Sequence, residues 1–289
     1  MEILDETARI NKHNWEAGGI SSTDAGTRPF LDVDRDVIAA YAEGKITQLP
    51  KPFEEGYTKR ITRGVQGKRV LCLASGGGQQ SVLYGLLGAE VTVLDLSAKQ
   101  LDADHVAAGH YGYRVETVEG DMRDLSMFDE DHFDLVIQGV SMVYVPDVRV
   151  VFKQVARVLK PGGWYRNTYM NPATVPACFS GTDNGWDGQG YRLSEPYRGG
   201  PILMRPDGSE NMDEGEMTGE FRHLLSDIFT GLVEAGFLIR EVYEPAGFNE
   251  EDEPGSFGHM ASALGMFFMI DAMKAQTLDC LPADEASTG

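Results

Sequence analysis

Ser75-Gly76-Gly77-Gly78 stands directly after an apolar run, Arg69-Val-Leu-Cys-Leu-Ala74, and directly before a stretch with Val82, Leu83, Leu86 and Leu87 on one helical face. Glycines in such a turn let the backbone approach a ligand with no Cβ in the way. The free N–H groups of the helix that follows suit an anionic part of that ligand. A glycine turn joining strand to helix is weak alone, so its companions decide. Asp95 closes a second apolar run, Val91-Thr-Val-Leu-Asp95, 17 residues beyond Gly78. In a doubly wound fold a carboxylate there accepts hydrogen bonds from ribose hydroxyls. Gly120-Asp121 follows a third strand and places a second carboxylate at the same edge, where such sheets bind ligands.

Further candidates admit two readings each. His223 and Asp227 fall at i and i+4 of an expected helix, pointing away from Phe221, Leu224 and Ile228. They read either as a solvated pair or as a histidine oriented by a carboxylate and able to act as general base near neutral pH. Tyr144, just past a fourth strand, is either packing beneath a loop or a contact to a reacting molecule. Trp15, Trp186, Tyr191 and Tyr197 are either ordinary anchors or a water-excluding cap. Asp183, Asp187 and Asp207 lack the alternating spacing of a calcium loop and read as turn residues. Gly255-Ser-Phe-Gly258 is not a nucleophile elbow.

The elements that must position these residues alternate strictly. Strands are expected at Arg69–Ala74, Val91–Asp95, Arg114–Val118, Phe133–Gln138, Trp164–Met170, Leu238–Tyr243 and Met266–Met273. Helices follow the glycine loop, Ser97, with Gln100 three residues on as a capping box, and Asp147. The last carries Val148, Val151, Phe152, Val155, Val158 and Leu159 on one face and is expected to stop at Pro161-Gly-Gly163. A further helix is expected over 217–235. Alternation of this kind means an α/β fold with a parallel sheet wound by right-handed crossovers. Residues 1–60 and 171–216 break the rhythm; both are polar but seeded with aromatics.

The chain has 289 residues, 25 Lys and Arg against 45 Asp and Glu, and a net charge of −20. That charge repels a phosphate backbone and an anionic membrane surface, so neither nucleic acid nor membrane is expected as a partner. Small neutral or cationic molecules stay open. Cys72, Cys178 and Cys280 lie far apart, arguing against a disulfide framework and a zinc site and for a cytoplasmic setting. No metal is expected. No apolar run approaches membrane-spanning length, and the acidic N-terminus lacks the features of a signal peptide.

As an ensemble, Val70-Leu-Cys-Leu-Ala-Ser-Gly-Gly-Gly78, Val91-Thr-Val-Leu-Asp-Leu-Ser97, Gly120-Asp-Met122, Phe133-Asp-Leu-Val136 and Ala156-Arg-Val-Leu-Lys-Pro-Gly-Gly163 resemble the class I S-adenosylmethionine-dependent methyltransferases. Cys72–Gln80 with Val140–Asp147 is similar to a bacterial branch of that family without assigned substrates. The resemblance implies a Rossmann-like, seven-stranded doubly wound sheet of order 3-2-1-4-5-7-6 with the last strand antiparallel, an N-terminal helical segment and a cap insertion after strand 5. It implies that Ala74, Ser75, Gly76 and Gly78 cradle the methionine part of the cofactor and that Asp95 holds the ribose. Leu96 and Gln100 would border the adenine, Asp121 would accept from its amino group, and Met122 would lie against the ring. Gln138 and Gly139 would lie beside the sulfonium. Cys72 stands where the family has an acid and Ala74 where it has its first glycine, which reads as a variant loop.

The expected function is therefore methyl transfer from S-adenosyl-L-methionine to a small-molecule acceptor, with His223 or Tyr144 as the catalytic polar contact, by a monomer or homodimer. Two other readings remain open here. Gly76-x-Gly78-x-x-Ser81 and Asp95 nearly fit a nicotinamide-dependent oxidoreductase, and a non-catalytic S-adenosylmethionine-binding protein is the third. The expected organisation is a lid segment over 1–60, a methyltransferase domain over 61–274 containing the 171–216 cap, and a tail over 275–289. The antiparallel strand is expected at Met266–Met273, since no crossover helix is foreseen before it.

Overall fold

The computed structural model describes residues 5–17, 28–54, 56–174, 185–193, 196–204, 218–245 and 251–276. Its elements in chain order are α1 (Glu6–Ala17), α2 (Arg35–Ala42), α3 (Lys59–Thr62), β1 (Arg69–Leu73), α4 (Gln80–Leu86), β2 (Glu90–Asp95), α5 (Ala98–Tyr111), β3 (Val115–Glu119) and β4 (Phe133–Gln138). After a 3-10 turn at Met142–Tyr144 come α6 (Val148–Val158), β5 (Leu159–Met170), β6 (Gly200–Met204), β7 (Thr218–Arg222), α7 (Leu225–Glu234), β8 (Phe237–Tyr243), α8 (Phe257–Leu264) and β9 (Phe267–Lys274).

Seven strands form one sheet in the order β3-β2-β1-β4-β5-β9-β8. The pairs from β3 to β5 are parallel, and β9 runs antiparallel to both β5 and β8. Counted within this sheet, that is the expected 3-2-1-4-5-7-6 with its last strand reversed. The central strands are apolar on both faces because helices cover both. Leu71 and Leu73 of β1 join a core with Phe152, Val155, Ile228 and Phe237, while Val70 and Cys72 join Leu83, Ile38 and Phe53 on the other side. This alternation along one strand divides the interior into two layers.

Local chemistry sets the helix ends. The Ser97 hydroxyl accepts from Gln100 N at 3.3 Å and the Asp147 carboxylate from Arg149 N at 2.9 Å, satisfying donors the helices leave free. Gly88, at φ +81°, takes the left-handed conformation that ends α4.

Three expectations are corrected. The helix over 217–235 is a strand followed by a shorter helix. Thr218–Arg222 pairs antiparallel with Gly200–Met204, and α7 begins only at Leu225. The apolar spacing from Phe221 to Leu232 spans both elements, and cross-strand pairing outweighs a periodicity that Gly219 already weakens. The helix after Asp147 ends at Val158 rather than at Pro161-Gly-Gly163. Leu159 is already extended, and 160–163 bulge from β5 where its pairing with β4 shifts register. A helix, α8, does precede the antiparallel strand. The Ser256 side chain caps it by accepting from His259 N at 3.2 Å. Residues 277–289, Asp183, Asp207, Cys178, Cys280 and most of 171–216 lie outside the described residues.

Candidate active site

β1 delivers the chain to Ala74, which holds a left-handed φ of +44° unusual for a residue with a Cβ. Gly76 N then donates to Asp95 Oδ2 at 2.9 Å, and Ser97 N donates to Asp95 Oδ1 at 2.9 Å. A Cβ on Gly76 would stand 2.7 Å from Gln100 Cβ and 3.0 Å from Asp95 Cγ, so glycine is required here by close approach. Burial pushes the Asp95 carboxyl above its ordinary pKa against the opposing pull of the Ser97, Gly76 and Leu96 N–H groups.

The loop is also held from behind. Asp104 of α5, fully buried, accepts from Gly77 N at 3.0 Å and from the Ser81 hydroxyl at 2.5 Å. Burial pushes its pKa up to about 7, with Ser81 and Gly77 opposing. Gly78 belongs to this rear side. A Cβ there would stand 2.8 Å from the Ala103 carbonyl and from Pro29, so its role is packing under the loop.

In front of the loop lies a cleft open to solvent, with about 880 Å³ of empty volume. It brings together Ala74, Ser75 and Gly76, then Asp95, Leu96 and Gln100, then Asp121 and Met122, each group from a different strand end. Gly139, Ser141 and Tyr144 add the end of β4, and Ala8, Asn11 and Trp15 of α1 close the top. Gln138 is not in the wall. It is buried under the floor, where its amide donates to Ser141 Oγ at 2.8 Å and its carbonyl oxygen accepts from the Tyr165 hydroxyl at 2.5 Å.

Tyr144 meets Trp15 edge-to-face, with ring centroids 5.9 Å apart and planes at 89°. Trp186 and Tyr191 pack instead against His259 of α8, Trp186 edge-to-face and Tyr191 tilted, with the Tyr191 hydroxyl 2.5 Å from His259 Nδ1; Tyr197 is exposed. None of these three lines the cleft.

His223 does not begin a helix. It sits between β7 and α7, and its Nε2 donates to the Met142 carbonyl at 3.0 Å. Burial pushes its pKa down, against the Met142 carbonyl and the Asp227 carboxylate. Asp227 is occupied elsewhere, accepting from Leu224 N at 3.1 Å and from Arg149 at 3.3 Å. His223 borders a smaller hollow of about 340 Å³ that shares Val140 with the main cleft. The histidine therefore lies behind the Met142–Tyr144 turn.

Among the wall residues that carried no expectation from sequence, Arg123 and Gln80 stand out. Arg123 lies two positions past Asp121 and chelates it, with Nη2 at 2.5 Å from Oδ2 and Nε at 3.0 Å from Oδ1. Gln80 was visible in the run after the glycines, without a role. Its Oε1 is buried with no hydrogen-bond partner among the described residues. A buried acceptor without a donor is rare in native structures and points to a missing partner.

Residues 71–166 match the family model described as a methyltransferase domain. The uncharacterized methyltransferase YbaJ of Bacillus subtilis is 38% identical over 238 residues, 81% of this chain and 90% of that protein. A ubiquinone biosynthesis O-methyltransferase of Bordetella avium is 28% identical over 163 residues, covering 53% of this chain and 68% of its own. An S-adenosylmethionine dependent methyltransferase from Mesorhizobium loti shares the fold, with a TM-score of 0.56 at 22% identity over 84% of this chain and all of that one. So does geranyl diphosphate C-methyltransferase from Streptomyces coelicolor, crystallised with S-adenosyl-L-homocysteine, with a TM-score of 0.59 at 16% identity over 94% of this chain and 100% of its own. The chain belongs to the class I S-adenosylmethionine-dependent methyltransferases, and S-adenosylmethionine is its methyl donor. The nicotinamide and non-catalytic readings are thereby set aside.

The residues present fit that donor. Gly76 leaves room where a Cβ would collide, and the orphan Gln80 Oε1 is an acceptor suited to an ammonium group. The Asp95 carboxylate accepts from the Gly76, Ser97 and Leu96 N–H groups, and its roughly four lone-pair sites leave acceptor capacity for a hydroxyl. Among the described residues, no group of three or more His, Cys, Asp and Glu could hold a metal ion.

Proposed function

We propose that the chain methylates a small-molecule acceptor in the outer part of this cleft, between α1 and the Met142–Tyr144 turn. The observation that carries the reading is the Trp15–Tyr144 edge-to-face pair, which gives the cleft an aromatic outer wall beside Val140 and Val145. Apolar walls with a few placed polar groups are what small-molecule pockets offer. A net charge of −20 favours a neutral or cationic acceptor.

S-adenosylmethionine supplies a methyl on a sulfonium, already activated for in-line displacement. The chain's own residues have to hold and align the partners and exclude water. In this reading Asp95 accepts from the ribose hydroxyls and Gln80 Oε1 from the ammonium of the methionine part. Leu96, Gln100, Asp121 and Met122 border the adenine. Tyr144 touches the acceptor and is the candidate catalytic residue. His223 acts through its bond to the Met142 carbonyl, holding the turn that carries Tyr144, so it is a positioning residue. α1 serves as roof, with Trp15 as the aromatic of the N-terminal lid; Trp186 and Tyr191 support α8 instead. A cytoplasmic setting belongs to the same proposal, supported by the buried free thiol of Cys72.

The test is release of S-adenosylhomocysteine over a panel of neutral and cationic small alcohols, phenols, amines and thiols, with wild type and Trp15→Ala. The reading expects turnover on a panel member and a raised acceptor KM in the variant, with cofactor affinity little changed. Turnover confined to protein or nucleic acid substrates contradicts it.

A further inference from the structure

α1 is fastened over the cleft in two chemically different ways. On one side its attachment is neutral: Asn11 Nδ2 donates to the Gly219 carbonyl at 3.0 Å, and Gly219 N donates back to Asn11 Oδ1 at 2.9 Å. On the other side it is ionic. Arg123, in the loop after β3, gives Nε and Nη2 to Asp121 and reaches Asp5 Oδ2 with Nη1 at 2.5 Å. The other Asp5 oxygen accepts from Ala8 N at 2.9 Å and so caps the first turn of α1. Lys12 adds a second ionic strap to Glu119 at the end of β3.

We infer that Arg123 is a positioning residue that latches α1 over the adenine corner of the cleft, and that the Asp5–Arg123–Asp121 chain sets how fast the cofactor enters and leaves. The inference rests on the cofactor reading of the cleft. One guanidinium serves both a carboxylate of the cleft wall and the residue that starts the roof helix, so the rigidity of one depends on the closure of the other. Planar, multi-donor geometry makes arginine the residue that can do this; a lysine offers a single point charge. The Arg123 side chain is 22% exposed against 50% for Asp5, so the latch is reachable by water and salt and can open without unfolding the helix. With the ionic edge released, α1 remains attached through Asn11 and Gly219, which therefore marks the hinge side.

Asp5→Asn separates the latch from the cap, because asparagine also caps a helix start but offers Arg123 no charge. Release of S-adenosylhomocysteine followed by tryptophan fluorescence, with Trp15 in the roof itself, is expected to be about two- to five-fold faster in Asp5→Asn, the range of a partly exposed ion pair. The wild-type rate is expected to climb with added salt more steeply than the variant's. In the ligand-free protein, amides of residues 6–17 are expected to exchange faster in the variant. Equal release rates with equal salt dependence overturn the latch. So does unchanged α1 exchange, a readout that needs no cofactor. If wild type binds no S-adenosylhomocysteine, the cofactor reading fails, and the α1 exchange still decides whether Asp5 and Arg123 hold the roof down.

Discussion

Asp104 accepts the Gly77 N–H at 3.0 Å from behind the glycine loop, so a buried carboxylate of α5 fixes the backbone that borders the cleft. Burial pushes Asp104 up to about 7, and burial alone does the same to Glu220 of β7, also to about 7. A carboxyl whose pKa is raised on folding holds its proton more tightly when folded. Its contribution is full below about pH 4, the unfolded value, and is lost as pH rises through about 7. Thermal stability is therefore expected to decline between those limits. Asp104→Asn combined with Glu220→Gln should flatten that decline, as read by melting temperature across a pH series. An unchanged slope in the double variant contradicts the assignment.

Gln80 gives a prediction in which stability and binding part company. Its Oε1 is buried and unpartnered, so Gln80→Leu removes an unsatisfied polar atom and is expected to leave the melting temperature unchanged or higher. Losing a hydrogen bond to a charged group costs about 1.5–3 kcal/mol, so S-adenosylhomocysteine should bind roughly 10- to 150-fold more weakly. Calorimetry showing wild-type affinity would remove Gln80 from the cofactor site.

His223 separates a base from a positioning group. Gln can still donate to the Met142 carbonyl that His223 holds at 3.0 Å, so His223→Gln is expected to keep kcat within about ten-fold. A general base is worth about 100- to 10,000-fold, so a loss of that size, with the acid limb of the pH profile gone, would return His223 to the chemistry.

The parts of this protein that could be read early are those where one residue type has one structural use. The alternation of apolar strand and helix from Arg69 to Met170 implies a parallel α/β sheet, whereas the strand order rests on the family resemblance; Asp95 and Gly76 are legible from their positions at strand ends. Thr218–Arg222 reads as helix from sequence because its apolar spacing continues into α7, while its pairing partner, Gly200–Met204, lies in a segment with no periodicity to reveal it. Trp15 and Trp186 look alike in sequence. Only the packing of α1 on the cleft and of His259 on Trp186 distinguishes wall from anchor. Arg123 was hidden for a similar reason: its second partner, Asp5, is 118 residues away.

Trp15 bears on acceptor choice. Trp15→Ala removes the aromatic partner of Tyr144, a contact worth about 0.5–1.5 kcal/mol beyond the area it buries. The account expects a loss in kcat/KM for the acceptor, with the affinity for S-adenosylhomocysteine changed by less. Equal losses in both would place Trp15 against the cofactor instead.

The central claim is that the cleft built by the glycine loop and Asp95 is where the methyl donor binds. Calorimetry of S-adenosylhomocysteine with wild type and a folded Asp95→Ala variant tests it most directly. Removing the carboxylate leaves hydroxyls unpaired at a partly buried site, at a cost of about 1–3 kcal/mol, so binding should weaken roughly 5- to 150-fold. Equal affinity in the two proteins would contradict the account.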